Sequence, residues 1–133
     1  MIELTKRERD MMFAVNAYSQ SQFPARLSEI AKKVHLKPPT VIEILRRLEL
    51  KGLIIREKGM IRLTDIGKRK CDSLVKSHRI LEALFVESGV DIQDACREVS
   101  GFDFLVQTNA AEKISKLIGK PEKCPHGYPI KYG

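Results

Sequence analysis

The sequence predicts a mainly α-helical fold with a small β-hairpin wing: a winged helix-turn-helix domain followed by a helical domain. Three observations lead there. Residues 27–64, LSEIAKKVHLKPPTVIEILRRLELKGLIIREKGMIRLT, read as two short helices joined by a tight turn and then a hairpin, the order of a winged helix-turn-helix. The segment after the hairpin reads as one long helix and two shorter ones. Residues 1–64 also hold 13 Lys/Arg against 7 Asp/Glu, a net of +6, whereas residues 65–133 hold 11 against 10. The basic excess therefore lies with the helix-turn-helix, where a cationic face releases counterions on meeting phosphates.

The elements follow from start and stop signals. Thr5 with Glu8 three residues later forms a capping box, which opens a helix through about Tyr18 with Met11, Met12, Val15 and Tyr18 on one face. Ser28 is placed to cap a helix from Glu29 to Val34. Lys37-Pro38-Pro39 opens the second reading helix, because the first turn has N–H groups without helical partners and proline loses nothing there. In that helix Val41, Ile44, Leu45 and Leu48 recur at i, i+3, i+4 and i+7, which buries one face and turns Thr40, Glu43, Arg46 and Arg47 outward. Gly52 is suited to a left-handed helix end, and LIIRE, the turn KG and MIRLT make the wing. Thr64 or Asp65 caps a helix from about Ile66 to Ser88, stopped by Gly89 and roughly 35 Å long at 1.5 Å per residue. Asp91 opens a short helix to about Ser100, and Asp103 another to about Ile118, ended by Gly119-Lys120-Pro121. The tail CPHGYPIKYG is expected to be irregular. The domain boundaries expected from this pattern are 1–64, 65–120 and a tail of 121–133.

Composition narrows the class. A chain of 133 residues suffices for one or two small domains. No run of about 18 uncharged apolar residues occurs and MIELTKRERD lacks an apolar signal stretch, so a soluble cytoplasmic protein without membrane contact is expected. Cys71, Cys96 and Cys124 are odd in number and widely spaced, unlike a disulfide framework.

The motif implies double-stranded DNA as partner, and its candidate contact residues are Lys37, Pro38, Pro39, Thr40, Glu43, Arg46 and Arg47 with the wing residues Arg56, Lys58 and Arg62. Thr40 sits near a helix N-terminus, which suits a phosphate, and Pro39 suits a thymine methyl group. Glu43 is matched to a cytosine amine, whereas Arg46, Arg47 and the wing cations are matched to backbone or minor groove.

The helix-turn-helix with KPPTVIEILRRLELKGLI, the following LTDIGKRK, the stretch SHRILEALFVESGVD and the late CPHGYPI together resemble the diphtheria-toxin-repressor and manganese-transport-regulator family of metal-dependent repressors. The resemblance covers nearly the whole chain. It implies an N-terminal DNA-binding domain and a C-terminal helical dimerisation domain that also builds the metal site. It further implies a homodimeric repressor on an inverted-repeat operator, controlled by a divalent transition metal (iron, manganese, zinc or cobalt). Some members carry an SH3-like domain after the CPHG-type segment, which this chain is expected to lack.

By the same resemblance Asp10 takes the first-helix ligand position, and His78 and Glu82 match a His/Glu pair whose i,i+4 spacing puts both on one helix face. In VSGFDF the family's carboxylate-or-thiolate, carboxylate and His positions are occupied by Ser100, Asp103 and Phe104, of which Asp103 alone is a good ligand. Cys96 falls near a second-site His. The implied metal set is therefore Asp10, His78, Glu82, Cys96 and Asp103. Imidazole, thiolate and carboxylate together suit zinc, iron or cobalt better than magnesium or calcium. Each residue also has a plainer reading, with Cys96 in the helix core, His78 and Glu82 as a salt-bridged pair and Asp10 as a surface acid. Cys124 and His126, two apart beside Pro125 and Gly127, read as part of a structural turn.

Two other classes stay open on residues alone. A metal-independent or thiol-sensing winged-helix regulator would use Cys71 and Cys96. An enzyme would need Cys96 or Cys124 beside His78 or His126 as a nucleophile pair, but no Gly-rich phosphate loop or paired acid/base spacing supports one, so the expectation is a protein that is not an enzyme.

Overall fold

A computed structural model describes residues 2–19 and 24–132. Its elements are α1 (Lys6–Ser19), β1 (Ala25–Arg26), α2 (Leu27–Val34), α3 (Pro38–Leu50), β2 (Ile54–Glu57), β3 (Met60–Leu63), α4 (Asp65–Glu87), α5 (Ile92–Ser100), a 3-10 turn (Asp103–Leu105) and α6 (Thr108–Leu117). They form two compact units, residues 1–71 and 72–133, with α4 running through the boundary.

The first unit is a winged helix-turn-helix. Thr5 and Glu8 make the expected capping box, the Glu8 N–H donating to Thr5 Oγ1 at 3.2 Å and the Thr5 N–H to Glu8 Oε1 at 2.8 Å. The helices α1, α2 and α3 pack together, with Met11, Met12 and Val15 of α1, Ile30 of α2 and Val41, Ile44, Leu45 and Leu48 of α3 all buried. Pro38 and Pro39 occupy the first turn of α3 behind Lys37. After α3, Gly52 (φ +76°) lets the Leu53 N–H reach Leu48 O at 3.0 Å, which closes the helix end and starts the wing. The wing pairs β2 with β3 from Ile54↔Leu63 to Glu57↔Met60 across the Lys58-Gly59 turn.

Two local expectations are corrected in this unit. The second helix starts at Leu27, so Ser28 lies inside its first turn and does not cap it; the Arg26 N–H is instead taken by Glu29 Oε1 at 3.1 Å. The early start has a tertiary cause, because Ala25 and Arg26 form β1, antiparallel to β3 (Ala25↔Ile61, Arg26↔Met60), and deliver the chain extended to the helix. A two-residue strand is too short to show a period of its own. The result is a three-stranded sheet of order β1-β3-β2.

Glu8 locks α1 to α3. Only 1% exposed, it accepts Lys51 Nζ at 2.8 Å, and its other oxygen lies 3.9 Å from Arg47 Nε. Burial works to raise its pKa, but the Lys51 and Thr5 hydrogen bonds and the Lys51 and Arg47 charges outweigh it and hold the carboxyl below its ordinary 4.5. A depressed folded pKa means that this contribution is complete above about 4.5 and is lost as pH falls through the folded value. Accordingly, denaturant midpoints of the wild type should fall more steeply below pH 4.5 than those of Glu8→Gln. Glu8→Ala should cost about 2–3 kcal/mol at neutral pH through the lost cap and the lost partner of Lys51.

Still within the first unit, Thr64 caps α4 as expected, its Oγ1 accepting the Gly67 N–H at 2.9 Å; Asp72 and the residues after it belong to the second unit. Asp91 caps α5 by accepting the Gln93 N–H. Ile80 of α4, Ala111 of α6 and Ile130 of the tail form a buried cluster flanked by Val106, Ile114 and Tyr132. The expectation that Asp103 opens one helix to Ile118 is corrected: Asp103–Leu105 is a single 3-10 turn, Val106 is extended, and α6 begins at Thr108. The Asp103 carboxylate is buried against His78 and does not cap the helix. The tail is without helix but is tied down by an antiparallel bridge between Lys123 and Pro129; Gly133 lies outside the described residues. No described helix is long and apolar enough to cross a membrane.

Candidate metal centre and DNA-reading face

His78 and Glu82 project from the same face of α4, one turn apart, and Cys96 comes from α5. His78 Nε2 lies 3.3 Å from Glu82 Oε2 and 3.6 Å from Cys96 Sγ. The three donor atoms lie within 4.8 Å of one another. Ligands at about 2.0–2.3 Å around one tetrahedral ion are about 3.3–3.8 Å apart, so small side-chain adjustments close this set on an ion. Asp103, entirely buried (0% exposed), does not join them. Its Oδ2 takes the opposite ring nitrogen, His78 Nδ1, at 2.8 Å. That is the place of an orienting carboxylate, which fixes the ring and directs Nε2 at the cluster. Asp103, expected as a ligand, here contacts the ring of His78.

Glu82 faces a second group that the residue spacing did not reveal. Its Oε1 lies 2.7 Å from His126 Nδ1, and Cys124 completes a second triad within 4.8 Å. The tail turn builds this pair: the Gly127 N–H donates to Cys124 O and the Cys124 N–H to Tyr128 O, both at 2.8 Å, which folds residues 124–128 tightly back on themselves. Cys124 and His126 do lie in the turn expected for them, and that turn sets their donor atoms beside Glu82. The CPHG run was their signal, but the third donor stands 44 residues away.

The donor chemistry fits a cation. Glu82 is 1% exposed, and its partners among the described residues are two imidazoles, with no Lys or Arg against it. A buried carboxylate without a formal positive charge is costly, and a divalent ion supplies that charge. Ser100 turns its hydroxyl back onto Cys96 O at 2.8 Å. Asp10 lies in the first unit, where it pairs with Lys6 at 2.6 Å and Arg9 at 3.0 Å. Cys71 is fully buried and donates its thiol to Met12 O at 3.5 Å, an arrangement of a core residue.

On the reading face, Lys37, Pro38, Pro39, Glu43 and Arg46 are exposed, and Thr40 is half-buried. Arg47 and Arg56 are engaged within the protein: Arg47 Nε is buried beside Glu8, and Arg56 grips Glu49 with Nε at 3.2 Å and Nη2 at 2.9 Å. Arg56 therefore ties the wing to α3. Lys58 and Arg62 are exposed on the wing, with Arg62 3.6 Å from the equally exposed Glu57. Ile42, not among the expected contact residues, is 41% exposed on α3 between Pro39 and Arg46, an apolar residue off the buried stripe.

Residues 64–132 match the family model described as the iron dependent repressor, metal binding and dimerisation domain, and residues 20–60 match the MarR family. An uncharacterised HTH-type transcriptional regulator of Aeropyrum pernix is 31% identical over 94% of this chain and 72% of its own length. The HTH-type transcriptional regulator MntR of Lysinibacillus sphaericus is 28% identical over 76% of this chain and 73% of its own length. Among solved structures, a hypothetical protein of Sulfolobus solfataricus is 34% identical with a TM-score of 0.83, over 97% of this chain and all of that one. A manganese-dependent transcriptional repressor in complex with manganese is 26% identical with a TM-score of 0.81, and this chain spans 59% of its length. A winged helix followed by a matching metal-binding and dimerisation domain places the chain in the diphtheria-toxin-repressor and manganese-transport-regulator family of metal-dependent transcriptional regulators, a family of DNA-binding proteins and not of enzymes.

Proposed function

We propose that the protein is a cytoplasmic, homodimeric repressor that binds an inverted-repeat operator and is switched by a divalent transition metal held in the second unit. Residues 1–64 form the DNA-binding domain, 65–120 the dimerisation and metal domain, and 121–133 a tail that adds donors. The observation that carries the reading is the buried carboxylate of Glu82 between two His/Cys pairs, downstream of a basic winged helix-turn-helix. His78, Glu82 and Cys96 would hold the metal, with Asp103 orienting His78, and Cys124 and His126 offer further donors to the same carboxylate. A bound ion supplies the positive charge that Glu82 lacks and ties α4 to α5. Because metal that favours one arrangement of the chain shifts its population, metal and DNA affinities are thermodynamically linked.

Manganese and zinc occur with relatives, whereas the thiolates here favour zinc, cobalt or iron over manganese. The exposed side chains Leu105 and Leu117 of the second unit support burial against a second copy. On DNA, Lys37, Pro38, Pro39, Thr40, Glu43 and Arg46 would enter the major groove, Lys58 and Arg62 would meet the backbone, and Arg47 and Arg56 would present their outer nitrogens to phosphate. Two recognition helices related by a two-fold axis require half-sites about one helical turn, or a multiple, apart.

Selection from a randomised duplex pool, with EDTA and separately with zinc, cobalt, ferrous iron or manganese, tests this. Enrichment of one inverted repeat in the presence of metal only is expected. Equal enrichment in EDTA would remove the metal switch, and no enrichment under any condition would remove the DNA reading. In the same assay Arg46→Ala should weaken binding about 5–100-fold if it contacts DNA, since one good contact is worth about 1–3 kcal/mol.

A further inference from the structure

Three arginines of the reading face stand against acids of the first unit, and the pairs are not alike. Arg62 lies 3.6 Å from Glu57 with both side chains largely exposed, a loose pair that solvent and salt screen. Arg47 leans on the buried Glu8, which serves the packing of α1 on α3. The third pair differs from both. Arg56 lies on β2 and Glu49 in the last turn of α3, each about one-third exposed, and two guanidinium nitrogens, Nε at 3.2 Å and Nη2 at 2.9 Å, close on the single oxygen Glu49 Oε1. Two contacts from one planar group fix its orientation and leave Nη1 without a protein partner among the described residues. The pair also spans a gap. The base of the wing is held by the buried Ile54 and Ile61. Toward the Lys58-Gly59 tip, a cavity of about 320 Å³ separates wing and recognition helix, lined by Ile42, Leu45 and Glu49 of α3 and by Arg56, Lys58 and Gly59. Packing is open at that end, and among the described residues Glu49–Arg56 is the one polar side-chain tie from α3 to the wing strands.

We infer that Glu49 is a specificity-determining residue of the DNA-reading face, a positioning residue that acts through Arg56 in two ways. Its charge offsets that of Arg56, which lowers the attraction of the wing for phosphates of any sequence. Its geometry aims the remaining Nη1 and sets the wing tip relative to α3, so that Arg56 meets a phosphate only where the recognition helix is seated in the major groove. The cation is thereby held back from duplexes that do not seat α3, and discrimination comes from weakened binding to wrong sequences as well as from contacts to the right one. The inference rests on the DNA reading above and adds to it a residue that touches no base, because Glu49 is turned to its own arginine.

The test compares two duplexes, the inverted repeat enriched from the randomised pool and a shuffled duplex of the same length and composition. Both are bound by the full chain, in the metal condition of the enrichment, over a series of salt concentrations. For Glu49→Gln the affinity for the shuffled duplex should rise about 3–10-fold at low salt, and its log–log dependence on salt should steepen by about 0.9, the value of one more neutralised phosphate. Affinity for the repeat should stay level or fall, so the ratio between the two drops by at least the same factor. Glu49→Gln combined with Arg56→Gln removes both charges and should return the shuffled duplex to about its wild-type affinity and slope. Glu57→Gln is the control for charge alone, and it should strengthen both duplexes by equal factors and leave the ratio unchanged. An equal rise for both duplexes in Glu49→Gln, as in that control, would overturn the inference. Unchanged affinities would overturn it too, and so would an equal fall for both, which would make Glu49 a support of the fold alone. Failure of the wild type to enrich any repeat would overturn the DNA reading and the inference together.

Discussion

Replacement of Gly67 by alanine is expected to destabilise the first unit by about 3 kcal/mol or more, even though it removes a glycine from a helix. On propensity alone the change would add about 1 kcal/mol. The structure reverses the sign. A Cβ at Gly67 would stand 1.9 Å from Leu53 O and 2.9 Å from Leu53 C, which are backbone atoms without a rotamer to move. Nor can α4 retreat, because Thr64 fixes its first turn: Thr64 Oγ1 accepts the Gly67 N–H at 2.9 Å and donates to Gly52 O at 2.6 Å, and the Thr64 N–H donates to Leu53 O at 3.0 Å. Gly52→Ala is the informative comparison. It meets nothing within 4 Å and suffers only its φ of +76°, a cost of about 1–2 kcal/mol. Urea denaturation of the two variants should therefore separate them clearly, and equal midpoints would mean that the close packing of Gly67 against Leu53 is absent in solution.

Asp103→Asn should lower metal affinity about 10–100-fold, as loss of a ligand-orienting carboxylate does. The carboxylate reaches His78 across 25 residues and sits on the ring nitrogen remote from Glu82 and Cys96. Its action is thus on the tautomer and aim of His78. Competition against a chromophoric chelator measures the loss, with the exposed Glu98→Gln on α5 as control. Once saturated with cobalt, the variant should recover the wild-type charge-transfer intensity, because no thiolate has been removed. A changed spectrum at saturation would mark Asp103 as a direct ligand, and unchanged affinity would deny it either role.

These two sites show where local pattern stops being sufficient. The capping box at Thr5 and Glu8, the proline-led start of α3 and its stripe of Val41, Ile44, Leu45 and Leu48 are short-range features, and each appears as expected. Ser28 looked equally competent as a cap, yet β1 pairing carries the chain into helix two residues earlier. Asp103 had the right spacing to open a helix, and its carboxylate was drawn into the interior by His78. Arg47 and Arg56 were legible as cations of the reading face, but their acidic partners Glu8 and Glu49 were not, because a sequence does not show which charges meet.

What the sequence by itself determined is the order of the helices and the wing hairpin, the basic reading face and the placing of His78 and Glu82 on one helix face, since helical periodicity, caps and i,i+4 spacing act over a few residues. Only the tertiary structure decided the environment of Glu82. Its carboxylate is buried with one oxygen toward His78 and the other toward His126, 44 residues on in the chain, while Cys96 and Cys124 come in from α5 and the tail. The reason is physical: a metal site is defined by donor atoms converging within a few ångströms, and that convergence depends on long-range packing such as that of α4, α6 and the tail around Ile80, Ala111 and Ile130, which local spacing does not encode.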